Sequence, residues 1–340
     1  MPLEEGAARD LHEALETHLA GVLSDPFTLQ LSDSGVRARC EYRGGARRCL
    51  AHCFQHEYYV EFQRQPAEHE ARFETAARGR TQSKNDVLHA MAMWLAGGDL
   101  LALHRACAFV DQRKRSLEAL EAQVLECRPG LHGVTHGLEH ELADIYRLWF
   151  RSRDRSCRVS YYGSNEHPDA QFQWDECPLF EFRVEDPQLL SAVLDPWLCG
   201  ELPTSMRREF PWLEISDLAD HYEAGTPVEG EFLASWDWIQ GFYDDLRFPG
   251  RQPALLFLAA LRAAGYDRKL RAGQSLWSLI VSRSRRHGLR ADQPRIVFDF
   301  HGEGLRMHSG DGAEDVQLPR VALTPEIEGA LRRLAEEEID

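Results

Sequence analysis

Residues 210–248 constrain the fold most, because this stretch is both the most aromatic and the most acidic part of the chain. It contains nine aromatic residues and nine carboxylates, and Arg247 is its single arginine or lysine. Large rings bury more apolar area per residue than other side chains and dominate domain cores and interface centres. This stretch, which we call the acidic aromatic segment, therefore predicts either the centre of a domain or an exposed docking face.

The composition is that of an ordinary globular protein, with 43% hydrophobic and 28% charged residues. A length of 340 residues favours two closely packed domains over one large domain. No apolar run approaches the roughly 18 residues that span a bilayer, and acidic residues stand near the N-terminus where a secretion signal needs basic ones. We therefore expect a cytoplasmic protein without membrane contact.

The spacing of apolar residues predicts an α+β fold. Apolar and polar residues alternate from Val36 onward, as in half-buried strands, which predicts a small antiparallel sheet over residues 36–63. Helical periodicity then takes over, so the N-terminal half should combine this sheet with helices. The second half is predicted to be mostly helical, with short strands and a C-terminal β-hairpin at 295–300 and 304–309.

The sequence Arg128-Pro129-Gly130 indicates a boundary between two domains, because proline and glycine do not continue the helix before them. The first domain, 1–128, should hold the sheet and a three-helix unit. The second domain, 131–340, should be an α+β domain with the acidic aromatic segment in its core.

Eight cysteines are spread along the chain without a C-x-x-C pair, which favours free thiols. Cys49, His52, Cys53 and His56 resemble a set of metal ligands. However, a strand over 47–54 would separate Cys49 and Cys53 by roughly 13 Å, which is too far for one zinc ion. We therefore expect structural cysteines, and we predict no metal and no cofactor.

Residues 136–140 read H-x-x-E-H, which resembles the inverted zincin motif, where two histidines hold zinc and a glutamate activates water. The motif has three fixed positions and the chain has 15 histidines, so a chance match is the simpler interpretation. The periodicity predicts a helix over 138–150, and at helical spacing both histidines would lie opposite its apolar stripe, towards solvent. A zinc-dependent hydrolase using His136, Glu139 and His140 is the second alternative.

Two arginine-rich stretches make a nucleic-acid-binding protein the first alternative. Residues 94–117 resemble a helix-turn-helix, whose last helix would begin with Arg113, Lys114 and Arg115. Residues 247–306 contain twelve basic side chains against four acidic ones, and a helix predicted over 274–287 could follow phosphates. The candidate phosphate contacts within 268–295 are Arg283, Arg285, Arg286 and Arg290. In the competing interpretation, these arginines pair with the acidic aromatic segment of the same molecule.

The sequence contains no phosphate loop, dinucleotide fingerprint or nucleophile elbow, so it favours a non-enzymatic protein and we assign no catalytic residue. The preferred hypothesis is a protein-interaction or regulatory subunit whose acidic aromatic segment holds a basic protein partner. Tryptophans within a polar rim are typical of the hot spots of such interfaces. The candidate partner-binding residues are Trp212, Trp236, Asp237, Trp238, Asp244 and Asp245.

Overall fold

The computed structural model describes residues 11, 13–14, 16–18, 38–44, 46–54, 57–66, 72–128, 133–142, 145–162, 165–285, 293–309 and 315–339. Within these residues, helices and three antiparallel sheets form an α+β fold, as the sequence predicts. Contacts divide the chain into two compact units, unit 1 from Met1 to Glu201 and unit 2 from Leu202 to Asp340. Two of the sheets belong to unit 1 and the third belongs to unit 2.

The first sheet of unit 1 has four antiparallel strands, and each strand pairs with the next one along the chain. Its strands are β1 (Ala38–Gly44), β2 (Arg47–Phe54), β3 (Glu57–Arg64) and β4 (Glu74–Thr81). Alternate residues such as Cys49, Ala51 and Phe62 are buried in one core. The sequence predicts the first three strands from this alternation but not β4, which is short of large apolar residues.

Three helices follow this sheet. They are α1 (Lys84–Leu95), α2 (Leu100–Ala106) and α3 (Gln112–Cys127). The hydroxyl of Ser83 accepts a hydrogen bond from the backbone amide of Asp86 and so caps α1. Trp94 fixes α1 to the sheet, because its ring lies edge-on to Phe62 at 6.1 Å and its Nε1 donates to the Gln63 carbonyl at 3.1 Å.

The second sheet of unit 1 has five antiparallel strands, and their order again follows the chain. The strands are β5 (Thr135–Leu142), β6 (Ile145–Ser152), β7 (Arg155–Ser160), β8 (Asp169–Trp174) and β9 (Cys177–Arg183). Helix α4 (Pro187–Cys199) follows them. Its Trp197 lies edge-on to Phe172 at 6.3 Å and to Phe180 at 5.0 Å, which fixes the helix to the sheet.

Arg155, the first residue of β7, is a buried cation held between two tryptophans. Its guanidinium carbon lies 3.4 Å from the ring centre of Trp174 and 4.0 Å from that of Trp197. Arginine suits such a position because its guanidinium group is planar and less strongly hydrated than an ammonium group. This stack joins the β7–β8 pair to α4.

Unit 2 contains one five-stranded antiparallel sheet and, within its described residues, five α-helices. The helices are α5 (Pro203–Glu209), α6 (Leu218–Glu223), α7 (Pro227–Asp245), α8 (Arg251–Ala263) and α9 (Pro325–Glu336), with a 3-10 turn at Tyr266–Arg268. The strands are β10 (Arg271–Ser275), β11 (Ser278–Ser282), β12 (Arg295–His301), β13 (Gly304–Ser309) and β14 (Asp315–Leu318). The β12–β13 hairpin is the one that the sequence predicts.

Helix α7, in the acidic aromatic segment, contributes a large part of the unit 2 core. Phe232, Trp236, Ile239 and Tyr243 lie on one stripe of the helix and are all buried. The indole nitrogen of Trp236 donates to the Leu270 carbonyl at 2.7 Å, which ties the helix to the start of β10. The last three residues of the stripe share their core with α8, the sheet and α9.

The prediction of a helix over 138–150 is wrong, because β5 and β6 pair with each other there. Tyr146, Leu148 and Phe150 are buried at every second position of β6. In this stretch the apolar residues satisfy both a helical and an alternating period, so the spacing alone does not decide. The pairing with neighbouring strands selects the extended form.

The helix predicted over 274–287 is also wrong, because β10 and β11 form an antiparallel hairpin there. Leu279 and Val281 are buried at alternate positions of β11. Leu276 lies in the turn with a φ of 53°, in the left-handed region. The described part of 269–295 therefore contains no helix that could follow a phosphate backbone.

The division after Glu201 and the domain boundary predicted at 128–131 fall at different places, and the predicted boundary lies inside unit 1. The predicted boundary is a claim about which residues fold independently, and it stays a prediction.

Across the described ranges, no helix combines the length and the apolar character that a membrane crossing needs.

Two glycines of α7 give opposite predictions for replacement by alanine. A Cβ atom at Gly230 would lie 2.5 Å from the His221 Cβ and 2.8 Å from the Leu218 Cδ1, so Gly230→Ala should push α6 away. We expect a cost of about 1–3 kcal/mol from this overpacking. A Cβ atom at Gly241 would meet nothing within 4 Å, so Gly241→Ala should stabilise the helix by about 0.5–1 kcal/mol.

Urea unfolding of the full chain, followed by tryptophan fluorescence, measures both effects. A similar change in stability for the two variants would contradict the close packing of α6 on α7.

Candidate functional site

The acidic aromatic segment and the later arginines meet inside unit 2. Glu231 of α7 is buried, and its carboxylate accepts hydrogen bonds from Nε and Nη2 of Arg285 at 3.1 and 2.9 Å. The Tyr222 hydroxyl donates to the same carboxylate. Burial alone lowers the pKa of Arg285, but the hydrogen bonds and charge of Glu231 raise it above its ordinary value. Glu231 is therefore a satisfied structural carboxylate and not part of an exposed acidic face.

Three further carboxylates of α7 pair with arginines from later in the chain. The pairs are Glu229 with Arg268, Asp237 with Arg262 and Asp244 with Arg251. They lie at the surface, where an ion pair contributes only about 0–1 kcal/mol to stability. This pairing agrees with the competing interpretation, in which the basic stretch neutralises the acidic aromatic segment of the same molecule.

The arginines suggested as phosphate contacts in 268–295 bind groups of unit 2 itself. Arg283 donates through Nε to the Glu337 carbonyl at 2.7 Å and through Nη1 to the Lys269 carbonyl at 2.8 Å. The guanidinium group of Arg285 is held by the buried carboxylate of α7. The remaining two lie outside the described residues: Arg286 and Arg290. Both described arginines thus stabilise the fold of unit 2.

The three tryptophans proposed to contact a partner lie in different environments. Trp236 is completely buried in the unit 2 core, so its assignment to a docking face is corrected to a core position. Trp212 and Trp238 are 46% and 53% exposed. Positions 236 and 238 lie about 200° apart around the helix, which puts one ring in the core and the other in solvent.

Trp238 is one exposed end of a series of ring contacts that we call the aromatic ladder. Its members are Trp238, Phe242, Tyr243, Phe248 and Trp277. Consecutive ring centroids lie 5.8, 5.4, 5.8 and 6.1 Å apart, and the first and last pairs are stacked. Trp277, at the other end, is 54% exposed. The ladder therefore connects two exposed indoles through a buried middle.

Tyr243 anchors the middle of the aromatic ladder in the core. Its hydroxyl donates to the Trp277 carbonyl at 2.9 Å, and its ring lies edge-on to Phe300 at 5.9 Å. Burial and, second, the charge of Asp299 raise the pKa of Tyr243, so the hydroxyl keeps the proton that it donates. These contacts hold the β10–β11 turn against α7.

Three positions beside the ladder complete the candidate surface. Leu276, next to Trp277, is 78% exposed. Gly241 leaves open space one turn after Trp238. Asp245, on the same helix face as Trp238, makes no ion pair with any residue that the structure describes. We call the ladder together with Gly241, Asp245 and Leu276 the ladder surface.

The three basic residues of the predicted helix-turn-helix, Arg113, Lys114 and Arg115, begin α3 and are half-buried. Their partners are, in order, the ring of Tyr161, the carboxylate of Glu118 and the carbonyl of Ala108. After this first turn α3 contains no lysine or arginine, and it exposes Glu118 and Glu126. An acidic helix face repels a phosphate backbone.

The zincin-like motif lies on β5 and not on a helix. Nδ1 of His136 lies 2.6 Å from the Glu121 carboxylate of α3. Four residues of strand separate His136 from His140 by roughly 13 Å, and Glu139 points to the opposite face. Within the described ranges, no group of three or more histidine, cysteine or carboxylate side chains could hold a metal ion. The strand thus separates the three residues of the motif.

Four of the described cysteines are buried in unit 1: Cys49, Cys53, Cys107 and Cys157. Burial raises the pKa of Cys49, Cys107 and Cys157, with a smaller contribution from Asp86 at Cys107. A higher pKa leaves less thiolate, which is the reactive form. These thiols therefore serve as packing groups. His56, the last of the suggested ligands, lies outside the described residues.

None of the known protein families matches the chain, and neither a curated protein nor a solved structure shows significant similarity to it. Geometry alone therefore supports the ladder surface as the candidate site.

Sequence reasoning did not identify Leu276 and Trp277 as exposed residues of the site, because it predicted a helix over 274–287 where the structure has a turn. One signal could have found them. The two apolar residues stand between Ser275 and Ser278, and short polar residues around a pair of this kind are typical of a turn. A turn would have exposed both residues.

Two neighbouring acids of α7 make a matched pair for measuring the buried ion pair. Glu231→Gln removes the charge opposite Arg285, whose side chain is only 21% exposed, and should cost about 3–5 kcal/mol. Glu229→Gln removes a surface pair with Arg268 and should cost less than about 1 kcal/mol. Urea unfolding at neutral pH measures both values. Equal losses in the two variants would contradict the structural role of Glu231.

Proposed function

We propose that the chain is a protein-interaction or regulatory subunit that binds a protein partner through the ladder surface. The observation that carries the proposal is the exposure of Trp238, Leu276 and Trp277 on a set of rings anchored in the core. Connected exposed apolar groups are typical of binding surfaces, and tryptophan is the residue most enriched at their energetic centres. Anchoring also lowers the entropy that these rings lose on binding.

Gly241 supports the same surface. A helix with glycine in its interior is less stable by about 1 kcal/mol than the same helix with alanine there. An exposed glycine at such a position therefore indicates a role other than stability. The space beside Gly241 is open, and it lies one turn from Trp238. A partner whose backbone approaches α7 at this point would use the missing side chain.

The exposed carboxylates of α7 support a basic partner. Asp245 is available to a basic group, whereas Asp237 and Asp244 are exposed but already hold arginines. Surface ion pairs are weak, so basic groups of a partner can displace those arginines from the carboxylates at little cost in free energy. We expect the rings to contribute more than the charges, and binding should depend only weakly on salt.

The two alternatives have less support from the contacts of the described residues. The nucleic-acid alternative needs exposed cations, but Arg283 and Arg285 are bonded within unit 2 and the exposed face of α3 is acidic. The zinc hydrolase alternative needs His136 and His140 on one metal ion, and strand spacing separates them. For the ladder surface, no contact of the described residues conflicts with binding a partner in this way.

We place the protein in the cytoplasm as part of the same proposal. The support comes from the cysteines, because seven of the eight are free thiols and four of those seven are buried. Free thiols are typical of the reducing cytosol, where disulfides rarely persist.

Replacing the exposed tryptophans tests the proposal. The tagged chain captures proteins from nuclease-treated lysate of its native cells, and a captured protein is then purified and titrated by surface plasmon resonance. Trp238→Ala and Trp277→Ala should each weaken its binding about 30-fold, because loss of a hot-spot tryptophan costs at least about 2 kcal/mol. Raising the salt concentration should change the affinity much less than either substitution does.

One further variant serves as a control for this measurement, and another tests the open space beside Gly241. Leu101→Ala removes a 58% exposed side chain from α2 in unit 1 and should leave binding unchanged. Gly241→Gln adds a side chain in open space and should weaken binding without loss of stability. Unchanged binding by both tryptophan variants would refute the surface. A partner that is captured from untreated lysate but not from nuclease-treated lysate would favour the nucleic-acid alternative.

A further inference from the structure

Unit 1 contains a polar cavity of about 320 Å³, separate from the residues of the ladder surface. Its lining comes from the edge strand β4, from β3, from the start of α3 and from second-sheet residues such as Tyr146. This volume lies at the lower end of the range for sites that bind small molecules.

The wall between β4 and α3 is a fixed part of the fold. Gly79 and Val110 form an antiparallel bridge, and the Asp111 amide donates to the Arg78 carbonyl at 2.6 Å. The Asp111 carboxylate accepts the Arg78 amide at 2.9 Å and lies 2.9 Å from Nε2 of His104. These contacts cover the outer edge of β4 and hold the first residues of α3 beside it. The cavity is therefore built by specific hydrogen bonds.

Three arginines line the cavity: Arg78, Arg80 and Arg113. Two of them lie over aromatic rings, Arg80 at 5.2 Å from the centre of Tyr59 and Arg113 at 5.7 Å from the centre of Tyr161. Such contacts restrict where a guanidinium group lies. A planar guanidinium fork binds a phosphate or carboxylate through two parallel hydrogen bonds.

The carboxylates at the cavity are largely engaged by the wall itself. Glu57 accepts hydrogen bonds from Arg80 and from the Tyr59 hydroxyl, and Asp111 is held as described above. Glu166 is exposed, where water screens its charge. Arg78 reaches its carboxylate partner only at 3.8 Å, in an ion pair with Glu61. An incoming anion therefore meets guanidinium groups and few unscreened negative charges.

Aromatic residues also line the cavity. Phe109, Tyr146 and Tyr161 all belong to its lining. Flat rings of this kind favour a planar ligand group, since stacked and edge-on ring pairs stabilise a complex beyond the effect of area burial. The lining thus combines donors for an anion with surfaces for a ring.

We propose that this cavity binds a small molecule that carries a phosphate or carboxylate group attached to a planar ring. Arg113 and Arg78 donate to the anion, and the ring lies against Tyr161 and Phe109. The site is independent of the partner-binding surface, because its lining residues all belong to unit 1 and the ladder surface belongs to unit 2.

Calorimetric titration of the full chain with four probes tests this proposal. Phenyl phosphate and benzoate carry a ring with each type of anion, inorganic phosphate lacks the ring, and phenol lacks the anionic group. We expect one of the two aromatic anions to bind in a saturable, one-to-one manner and more tightly than either inorganic phosphate or phenol. The stronger of the two identifies the anion that the cavity prefers.

Neighbouring cations provide a matched pair of variants. Arg113→Gln should weaken binding of the preferred probe about tenfold or more, because hydrogen bonds to a charged group are stronger than those between neutral groups. Lys114→Gln should bind as the unchanged chain does, because Lys114 pairs with Glu118 and does not line the cavity. Arg113→Lys keeps the charge without the fork and should give an intermediate affinity, with circular dichroism confirming the fold.

Tyr161→Ala should remove the preference for the aromatic anion over inorganic phosphate. Absence of saturable binding by both aromatic anions would overturn the proposal. Equal weakening by Arg113→Gln and Lys114→Gln would also overturn it, because a general effect of charge would then explain the binding.

Discussion

The burial of Glu231 in α7 is the constraint on which the organisation of unit 2 depends. A carboxylate removed from water loses much more free energy than a single hydrogen bond returns, so it must be paired and fully hydrogen-bonded. Arg285 and Tyr222 supply those bonds. Because they come from either side of α7 in the sequence, satisfying this one carboxylate brings α6, α7 and the end of β11 together.

Helix α7 belongs to the core and to the surface at once. Trp236 fills the core, Trp238 faces solvent, and Tyr243 links the two environments through ring contacts. An exposed ring on such a support is held in place by residues that are essential for folding. This arrangement allows the outer rings to be replaced with little loss of stability while the inner ones are not replaceable. A surface of this kind can diverge in specificity without endangering the fold.

Much of the fold follows from local spacing, whereas the candidate sites depend on long-range pairing. The stripe of α7 and the β12–β13 hairpin are readable because one period dominates each of them. The strands at 145–152 and 271–282 are not, since their apolar residues fit both periods until a neighbouring strand decides. Charge balance between the acidic aromatic segment and the later arginines was visible as a competing interpretation. No local signal tells that Trp277 joins the rings of α7, or that residues far apart in the sequence enclose one cavity.

In all three sheets the strand order equals the order in the sequence. Short connections lose little entropy when they close, and sheets of this type have low contact order, which is associated with fast folding. Each hairpin can therefore form as soon as its second strand has left the ribosome, during synthesis from the N-terminus. Neither sheet of unit 1 needs to wait for a strand encoded in the last 139 residues, those from Leu202 to Asp340.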